Sequence, residues 1–296
     1  MPIKKECCLC KFKNTEIISA KVRDSKRHNV IKCKKCNHIQ LFPIPNEIEE
    51  KKFYDENLQD KNIEFFGGLK ENRIKSEDDT FRRVNFMKKI IPKKGRILEI
   101  GSGHGFFLES MEKLGYNMTG IEISKEKRRF AKKISKSKIL NVNLLTEDIE
   151  LKKFDAIVLF HVLEHLPNPS KFLKKISSLL NLNGKIILEV PNSDDKQLIS
   201  NLAYREFYWQ RAHLHYFNPK SLNSVIKKAG LTTKIVGVQR YSIENMINWK
   251  LTNKPQINNP AFTLEEPYRE IDEYYKKSLE KILKCDTIMA VCSQKK

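Results

Sequence analysis

The sequence predicts an α/β protein in which a mostly parallel sheet is covered by helices on both faces and is preceded by a small cysteine-rich module. Five of the seven cysteines lie before residue 37. From Gly95 onward, short apolar segments alternate with amphipathic ones, and the glycine-rich stretch GSGHG joins the first apolar segment to the first amphipathic one. Strands that alternate with helices in this way are typical of parallel sheets.

The composition predicts a globular chain without a membrane span. With 296 residues, the chain is long enough to bury a substantial core. The mean hydropathy is -0.52, and no apolar run approaches the roughly 18 residues that a membrane helix needs. The first residues, MPIKKECCLC, lack the apolar stretch of a secretory signal. We therefore expect a cytoplasmic protein.

The formal net charge of +20 has two interpretations. It indicates either an anionic partner, such as nucleic acid, a nucleotide-linked metabolite or lipid headgroups, or lysine-rich helix faces exposed to solvent. Basic pairs recur along the whole chain, whereas a nucleic-acid surface should be clustered. The distribution favours the second interpretation.

The cysteines near the N-terminus predict a structural zinc site. Cys7 and Cys10 form one CxxC pair, and Cys33 and Cys36 form another. Two such pairs can place four thiolates around one tetrahedral ion, which stabilises a fold and leaves no position for chemistry. A redox pair or disulfides are the alternatives, but redox CxxC motifs normally open a helix in a βαβ unit. Cys8 is left over from this set.

Prolines and glycines suggest where the chain divides. Pro43 and Pro45 end the cysteine-rich module, and a helical connector follows with a loop at Gly67 and Gly68. The segments that follow the predicted strands KIILEV and LTTKIVGVQ are longer than simple connections, and long insertions at a sheet edge often carry function. The predicted divisions are a zinc-ribbon-like module at 1–45, the connector at 46–92 and a large domain at 93–296, with substrate-side insertions at 193–218 and 241–285.

Each element of the large domain follows from its own pattern. Ser124 is the expected N-cap of the second helix, and Pro169 lies in the first turn of the third, which should end near Gly184. Strands are predicted at the apolar segments RILEI, NMTGIEI, KFDAIVLF, KIILEV, LTTKIVGVQ and CDTIMAVC. Helices are predicted at FFLESMEKLG, SKEKRRFAKKISK, NPSKFLKKISSLLNLNG, NPKSLNSVIKKAG and NPAFTLEEPYREIDEYYKKSLEKILK.

The turn after the first of these strands indicates a nucleoside-containing cofactor. Gly101, Gly103 and Gly105 give GxGxG, and Phe106 stands where the dinucleotide motif GxGxxG has its third glycine. Glu122 ends the next strand, where a carboxylate can accept hydrogen bonds from both hydroxyls of a ribose. A glycine-rich turn between strand and helix is stronger evidence when such an acid accompanies it.

The stretches ILEIGSGHGFFL, GIEIS, FDAIVLFHVLEHL and GKIILEVPN, in this order, resemble a class I S-adenosylmethionine-dependent methyltransferase. The resemblance covers about 95 to 240 and the closing strand. It implies a Rossmann-like sheet of seven strands, the last of them antiparallel, with S-adenosylmethionine as the cofactor.

The resemblance also implies roles for individual residues. Glu99 would lie by the methionine part of the cofactor, unless its carboxylate is instead tied to nearby backbone N–H groups. Asp148 would approach the adenine amino group, although a shift of one position would substitute Glu147. The full set is Glu99, Gly101, Ser102, Gly103 and Gly105 around the methionine, Glu122 on the ribose, Ile123, Asp148 and Ile149 at the adenine, and Phe160 and His161 at the sulfonium.

The N-terminal stretch CKKCNHIQLFPIPNEIEEKKFYDE, which completes the second CxxC pair, resembles the zinc modules of bacterial sugar methyltransferases. This resemblance covers roughly residues 7 to 60. It implies an acceptor that is a nucleotide-linked or surface-glycan sugar.

Methyl transfer from a sulfonium to a hydroxyl or ammonium also needs a base, and histidine suits that task near neutral pH. His161, Glu164 and His165 follow the strand KFDAIVLF, at the edge where ligands bind. The string H-x-x-E-H is similar to zinc-peptidase motifs, but it starts at a buried strand end rather than within a helix. We expect a structural role for His165, and either a substrate contact or a structural role for His161.

The stretch WQRAHLHYF, residues 209–217, supplies the other candidates. Sugar C-methyltransferases with the zinc module carry a YHEHFSYF-type string here, and its H-x-x-Y-F core aligns with His213, Tyr216 and Phe217. Two polar partners of that string are replaced, by Gln210 and Ala212. The chain also ends without the additional C-terminal domain of that subgroup, so we expect an oxygen or nitrogen acceptor.

The predicted catalytic residues are therefore His213, His161 and Tyr216. His215 is expected to be a hydrogen-bonded loop residue, and metal binding by His213 or His215 is not expected because four thiolates already form a complete set.

The leading prediction is a methyltransferase acting on an anionic small molecule, such as a nucleotide-linked sugar, in surface-glycan biosynthesis. An RNA methyltransferase with a zinc-ribbon RNA-binding module is the first alternative, although residues 11–35 offer only Phe12 for base stacking and no N-P-P-Y-like string follows Leu159. A sugar C-methyltransferase is the second alternative, and a non-catalytic binding module is the third. The intact GSGHG with Glu122 argues against a non-catalytic module.

Overall fold

A computed structural model describes residues 5–46, 49–50, 68–255, 264–266 and 268–295. These residues form two sheets, a small one of four strands and a large one of seven. None of the helices within these ranges combines the length and the apolar character needed to cross a bilayer.

The small sheet belongs mostly to the N-terminal module. Its first three strands are β1 (Thr15–Ser19), β2 (Asn29–Cys33) and β3 (Ile39–Phe42), and they pair antiparallel in that order. Its fourth strand, β9 (His215–Tyr216), comes from far along the chain and pairs antiparallel with β3. The stretch WQRAHLHYF thus completes the sheet of the N-terminal module.

The large sheet confirms the predicted architecture of seven strands with an antiparallel last strand. The strand order is β10-β11-β8-β7-β4-β5-β6, and β11 is antiparallel to both of its neighbours. The short strand β6 was not among the segments predicted from apolar pattern. The strands are β4 (Arg96–Ile100), β5 (Asn117–Ile121), β6 (Lys138–Leu140), β7 (Phe154–Phe160), β8 (Leu180–Pro191), β10 (Leu231–Val238) and β11 (Thr287–Gln294).

Helices cover both faces of the large sheet. Apolar side chains of α1, α2 and α3 pack on one face, and those of α4, α7 and α9 pack on the other. Ser124 caps α3 as predicted, because its side chain accepts a hydrogen bond from the backbone N–H of Lys127. The helices are α1 (Gly68–Ile90), α2 (Phe106–Lys113), α3 (Lys125–Ile134), α4 (Pro169–Ser177), α5 (Lys196–Ser200), α6 (Leu202–Tyr208), α7 (Pro219–Lys228), α8 (Ile243–Thr252) and α9 (Arg269–Lys281).

The predicted extent of the helix after Pro169 is wrong. It ends at Ser177, and β8 already begins at Leu180. Phe154 pairs with Leu180 while Ala156 pairs with Lys185, so the chain bulges out of the ladder between the two pairs. Gly184 lies in this bulge, where a Cβ would come within 3.0 Å of the Phe154 carbonyl oxygen.

Two segments differ from their predicted organisation. The predicted loop at Gly67 and Gly68 lies partly outside the described residues, and Gly68 itself begins α1, a helix of 23 residues. The insertion at 241–285 was predicted to hold one helix, but it also contains α8, whose Trp249 packs against Tyr204 of α6. Helices α1 and α6 thus lie beside the edge of the sheet where β4, β7 and β8 end.

Candidate active site

The glycine-rich turn after β4 leaves room for a ligand. Gly101 has φ 75° and lies so close to the loop after β7 that a Cβ would be 2.6 Å from Cγ2 of Val162. Gly103 has φ 54°, and a Cβ there would meet nothing within 4 Å. The first glycine therefore serves close packing between the two loops, whereas the second borders open space that a cofactor can enter.

Glu122 stands directly across this turn. Its two carboxylate oxygens accept hydrogen bonds from the backbone N–H groups of Gly103 (2.7 Å) and Ser124 (2.8 Å). The side chain is buried, with 7% of its surface exposed. Two backbone bonds fix the carboxylate and leave lone pairs on both oxygens, the arrangement that a ribose diol requires.

Two further polar groups beneath the turn have unused hydrogen-bonding capacity. Glu99 is 5% exposed, and its Oε2 has no hydrogen-bond partner among the described residues. Burial raises the pKa of Glu99 well above its usual range, although the charge of Arg83 acts against this. The Oγ of Ser102 also has no partner within the described ranges and lies over Gly120. Buried polar atoms without partners are typical of sites that a ligand completes.

Phe160 ends β7 at the same edge, but its ring is part of the core. It packs against Phe107 with ring centroids 5.0 Å apart, and the guanidinium of Arg83 lies 4.5 Å from its centroid. Phe160 therefore forms an apolar floor beside the cleft.

The predicted adenine contacts are only partly brought together. Ile123 is 44% exposed directly after Glu122, as a residue flanking a ligand should be. Asp148, in contrast, has 96% of its side chain exposed and pairs with Lys175 at 2.7 Å. Lys175 lies in the last turn of α4, near the start of β8, which is the opposite edge of the sheet. The structure therefore does not bring Asp148 to the cleft, and Ile149 packs against the core.

A different pair of residues closes that side of the cleft. The guanidinium of Arg128 donates to the carbonyl oxygens of Glu122 (2.9 Å) and Ile123 (3.1 Å) and to Oδ1 of Asn141 (3.0 Å). Asn141 directly follows β6, just as Glu122 directly follows β5. A polar residue directly after a strand could have indicated Asn141 from the sequence. It was missed because β6 was not predicted.

His161 is held between two buried carboxylates. Its Nδ1 lies 3.3 Å from Oε1 of Glu164, and its Nε2 lies 3.2 Å from Oε1 of Glu189. Burial alone would lower the pKa of His161, but hydrogen bonds to Glu164 and Glu189 outweigh burial and the charge of Arg240, so its pKa is raised. With both ring nitrogens engaged by carboxylates, His161 is a poor candidate for a base.

Charged residues that were not predicted from the sequence surround His161. Glu189 is completely buried at the end of β8 and binds both Arg82 (2.9 Å) and Arg83 (2.5 Å) of α1. Arg240, which follows β10, binds Asp79 of α1 at 2.5 Å. Burial favours a high pKa for Glu189, but the charge of Arg83 and the hydrogen bond to His161 hold its pKa well below its usual range. These ion pairs fasten α1 over the ends of β7, β8 and β10.

The two histidine-bearing segments meet at this edge. The Nδ1 of His165 donates to the carbonyl oxygen of Ala212 at 2.7 Å, so the ring fastens the turn after β7 to the stretch WQRAHLHYF, as expected. Ligand atoms of Glu164, His165 and His213 lie within 4.8 Å of one another. Both oxygens of Glu164 are buried, and Oε1 lies 3.3 Å from Nδ1 of His161.

The protonation of these groups is set by their surroundings. Burial, together with the charge of His165, lowers the pKa of His213 to about 3. Burial would raise the pKa of Glu164, but the hydrogen bond to His161 and the charge of His165 hold it at about 2. Near neutral pH the cluster therefore contains an ionised carboxylate beside a neutral, half-buried imidazole.

Tyr216 occupies a different position from the one predicted. Its hydroxyl donates to the carbonyl oxygen of Gln210 (2.9 Å) and accepts from the N–H of the same residue (2.9 Å). The side chain is 1% exposed, and burial raises its pKa well above its usual value. Because the hydroxyl closes its own loop, the structure corrects the predicted catalytic role of Tyr216 to a structural one.

A methyltransferase-domain family model matches residues 72–234 of the chain. The matched segment contains the glycine-rich turn, Glu122 and the histidine cluster described above. The chain belongs to the S-adenosylmethionine-dependent methyltransferases. The resemblance inferred from the sequence is thus confirmed at the level of this family.

Known methyltransferases are similar to this one in sequence and in fold. Ubiquinone biosynthesis O-methyltransferase of Coxiella burnetii (strain RSA 493) is 25% identical over 176 residues, covering 55% of this chain and 75% of that protein. The protein of the same name from Pelagibacter ubique is 26% identical over 200 residues, covering 64% and 78%.

Among solved structures, a methyltransferase from Archaeoglobus fulgidus matches 81% of this chain and all of its own with a TM-score of 0.53 and 22% identity. The magnesium protoporphyrin IX methyltransferase of Synechocystis PCC 6803, solved with S-adenosylhomocysteine, covers 84% of this chain and all of its own with a TM-score of 0.54 and 10% identity. These likenesses support the fold.

The predicted metal ligands of the methyltransferase are brought together in the N-terminal module. The Sγ atoms of Cys7 and Cys36 are 3.5 Å apart, as are those of Cys10 and Cys33, and all four lie within 4.8 Å of one another. Tetrahedral thiolates around zinc stand about 3.8 Å apart, given a Zn–S distance of about 2.3 Å. The four side chains therefore fit a zinc ion.

The N-terminal module also holds the loop that carries His213. The strand pair β3–β9 joins the two regions, and the N–H of Arg23 donates to the carbonyl oxygen of Trp209 at 2.8 Å. The guanidinium of Arg23 reaches the side-chain oxygen of Gln210 at 2.6 Å. Residues of the module thus determine where the loop that carries His213 lies.

Proposed function

We propose that the protein transfers the methyl group of S-adenosylmethionine to a hydroxyl of a small polar acceptor, with a sugar or nucleotide-linked sugar as the acceptor class. The observation that carries this proposal is the cluster of neutral His213 and ionised Glu164 at the edge of the cofactor cleft. A hydroxyl must lose a proton as it attacks the methyl group, and this cluster offers a group that accepts one.

The cofactor half of the site consists of the turn after β4 and the acid after β5. In the proposal, Glu122 accepts hydrogen bonds from the ribose hydroxyls, and Gly103 lets the backbone approach the methionine part. Glu99 offers a buried carboxyl oxygen without a partner among the described residues for the polar end of the methionine. Ile123 and Asn141 flank the adenine, the latter in place of Asp148.

His213 is the proposed base, and Glu164 and His165 position it. The His213 ring is neutral near pH 7, because burial and the charge of His165 hold its pKa at about 3, and the charge of Glu164 raises its affinity for a proton. His165, fixed by its bond to Ala212, supports the ring from one side. His161 lies between Glu164 and Glu189 and contributes by keeping Glu164 ionised and in place.

Polarity around the base supports the acceptor class. The side chains next to His213 include Gln210, Glu164 and His165, so the acceptor meets hydrogen-bonding groups beside the rings of Tyr208 and Tyr216. Similar proteins are named ubiquinone biosynthesis O-methyltransferases, which supports an oxygen acceptor. A polar lining, however, favours a polyhydroxylated molecule over an apolar ring, because unpaired buried polar groups would penalise the latter. The sequence resemblance of the N-terminal module to those of sugar methyltransferases supports the same class.

The role proposed for the four cysteines is structural zinc binding. A closed set of four thiolates leaves no position for substrate, so the ion would stabilise β1–β3 and, through β9, the loop that carries His213.

A methyl-transfer assay tests the proposal. The purified protein is incubated with methyl-labelled S-adenosylmethionine and, in separate reactions, a panel of nucleotide sugars, a catechol and total RNA. Transfer of the label to a nucleotide sugar, in a product that is stable to base, supports an O-methyltransferase of sugars, whereas transfer only to the catechol or RNA contradicts the acceptor class.

Because Glu164, His165 and His213 are also a donor set for a divalent cation, each reaction is repeated with a chelator and with added Mg²⁺ or Zn²⁺. A requirement for added Mg²⁺ would contradict His213 as a metal-free base, whereas recovery with Zn²⁺ alone is also expected from reloading of the four-cysteine site.

A further inference from the structure

A second group of metal-ligand side chains lies beside the four cysteines and is not part of that set. It consists of Cys8, His38 and His215, whose ligand atoms lie within 4.8 Å of one another. The Nδ1 of His215 is 3.6 Å from Sγ of Cys8 and 3.1 Å from Nε2 of His38. His38 and His215 are 0% and 1% exposed. Two buried imidazoles and a thiol therefore converge on one point.

Hydrogen bonds alone satisfy this group incompletely. The Nε2 of His215 faces the carbonyl oxygen of Leu166 at 3.0 Å, and a carbonyl can only accept, so this nitrogen carries the hydrogen. The neutral ring then has one lone pair, on Nδ1, yet both Cys8 and His38 approach it. One lone pair cannot bind two donors fully.

The distances match those of a tetrahedral metal site. With a Zn–N distance of about 2.0 Å and a Zn–S distance of about 2.3 Å, two nitrogen ligands stand about 3.3 Å apart and a sulfur and a nitrogen about 3.6 Å apart. The two measured separations, 3.1 Å and 3.6 Å, are close to these values. The contact from His215 to Leu166 also fits, because metal-binding histidines usually donate their other N–H to a carbonyl or carboxylate.

We infer that Cys8, His38 and His215 form a second metal site, suited to zinc or a similar divalent transition metal. It is separate from the four-cysteine site and leaves one coordination position for solvent. A thiolate with two neutral imidazoles and a divalent cation has a net charge of +1, and zinc with four thiolates has a net charge of −2. The two centres therefore attract rather than repel each other. Metal binding by His215 was not expected from the sequence, because the four thiolates of the two CxxC pairs form a complete set.

The site joins three parts of the fold. Cys8 belongs to the first CxxC loop, His38 directly precedes β3, and His215 lies in β9. Through Leu166, the His215 ring is also tied to the loop after β7. A metal here would cross-link the N-terminal module to the loop that carries His213. This consequence for catalysis rests on the proposed function, but the metal site itself does not.

Metal content measured by mass spectrometry tests the inference on the full chain. The wild-type protein, purified after growth with zinc and passed through a desalting column, should contain one zinc equivalent beyond that of the four-cysteine site. Cys8→Ser and His38→Gln should each remove that equivalent and keep the other. Cys292→Ser is the matched control, because this thiol is buried in β11, away from the module, and its loss should leave the zinc content unchanged.

Cobalt spectroscopy keeps the test independent of folding in the variants. Titration of the metal-free wild-type protein with Co²⁺ should give two distinct visible absorption bands, one from the four-thiolate site and one from a site with one sulfur and two nitrogens. Cys8→Ser should remove only the second. A single band and a single zinc equivalent in the wild-type protein, both unchanged by Cys8→Ser, would overturn the inference. Neither readout depends on methyl transfer, so failure of the proposed acceptor leaves this test valid.

Discussion

The ring of His213 stands edge-on to the ring of His165, with centroids 5.0 Å apart and ring planes at 65°. The two residues come from different parts of the chain, one from the loop completed by β9 and the other from the turn after β7. Their contact joins the turn after β7 to the loop that carries the proposed base. The position of one loop relative to the other therefore affects whether the proposed base, His213, faces the acceptor.

His213→Ala should abolish most turnover while sparing the cofactor site. Loss of a general base lowers kcat by about 100- to 10,000-fold. The affinity for S-adenosylmethionine, measured by calorimetry, should be unchanged, because Gly103 and Glu122 are untouched. Added imidazole should restore part of the activity. His28→Gln, at a buried histidine bonded to Ser25 in the module, is the control and should keep full turnover. Unchanged turnover in His213→Ala would assign this residue a structural role.

Glu122→Ala should weaken binding of S-adenosylmethionine by about 100-fold or more, since each hydrogen bond to a charged group is worth about 1.5 to 3 kcal/mol. Calorimetry measures the change directly. Glu126→Ala is the matched control: it removes the same charge four positions along, from an exposed site in the first turn of α3. Equal affinities for the two variants would contradict the ribose assignment.

Gly101→Ala should destabilise the protein for two separable reasons. Its φ of 75° strains a residue with a Cβ, and that Cβ would lie 2.6 Å from Cγ2 of Val162. Together these effects should lower the free energy of unfolding by about 1 to 3 kcal/mol. The double variant Gly101→Ala with Val162→Ala removes the clash but keeps the backbone strain. Its free energy of unfolding, measured in denaturant, should therefore fall by less than the sum of the decreases in the two single variants. Full additivity would mean that the two loops are not in contact.

Local patterns determined which parts of this fold could be predicted. The strands RILEI and KFDAIVLF and the capped helix after Ser124 depend on residues within a few positions of one another, and all appear as predicted. The glycine turn and Glu122 were also predictable, because the ends of adjacent parallel strands meet at one edge.

The part of the site that contains His213 depends on contacts that no local pattern contains. Strand β9 has only two residues and exists because it pairs with β3, which lies far away in the sequence. Glu189 has the appearance of one polar residue in an apolar strand, and only the position of α1 reveals that Arg82 and Arg83 neutralise it. The same lack of long-range information led to the structural hydroxyl of Tyr216 being predicted as catalytic.

Asp195→Asn should stabilise the protein at alkaline pH and have little effect at acid pH. Burial, strengthened by the charge of Asp286, raises the pKa of Asp195 to about 7 from a usual value of 3.8. Because its pKa is raised, Asp195 is protonated more readily in the folded state than in the unfolded state. The contribution of this carboxyl group to folding stability is therefore complete below about pH 4 and is lost as the pH rises through 7. Asparagine stays neutral and can still cap α5, where Oδ1 of Asp195 accepts from the N–H of Gln197 at 2.8 Å.

Urea unfolding should therefore show Asp195→Asn more stable than wild type by on the order of 2 kcal/mol at pH 8, with the difference shrinking toward pH 4. Asp194→Asn, at the adjacent half-buried carboxylate paired with Lys284, is the control for loss of an acid. A difference that is the same at both pH values would show that ionisation of Asp195 is not the cause.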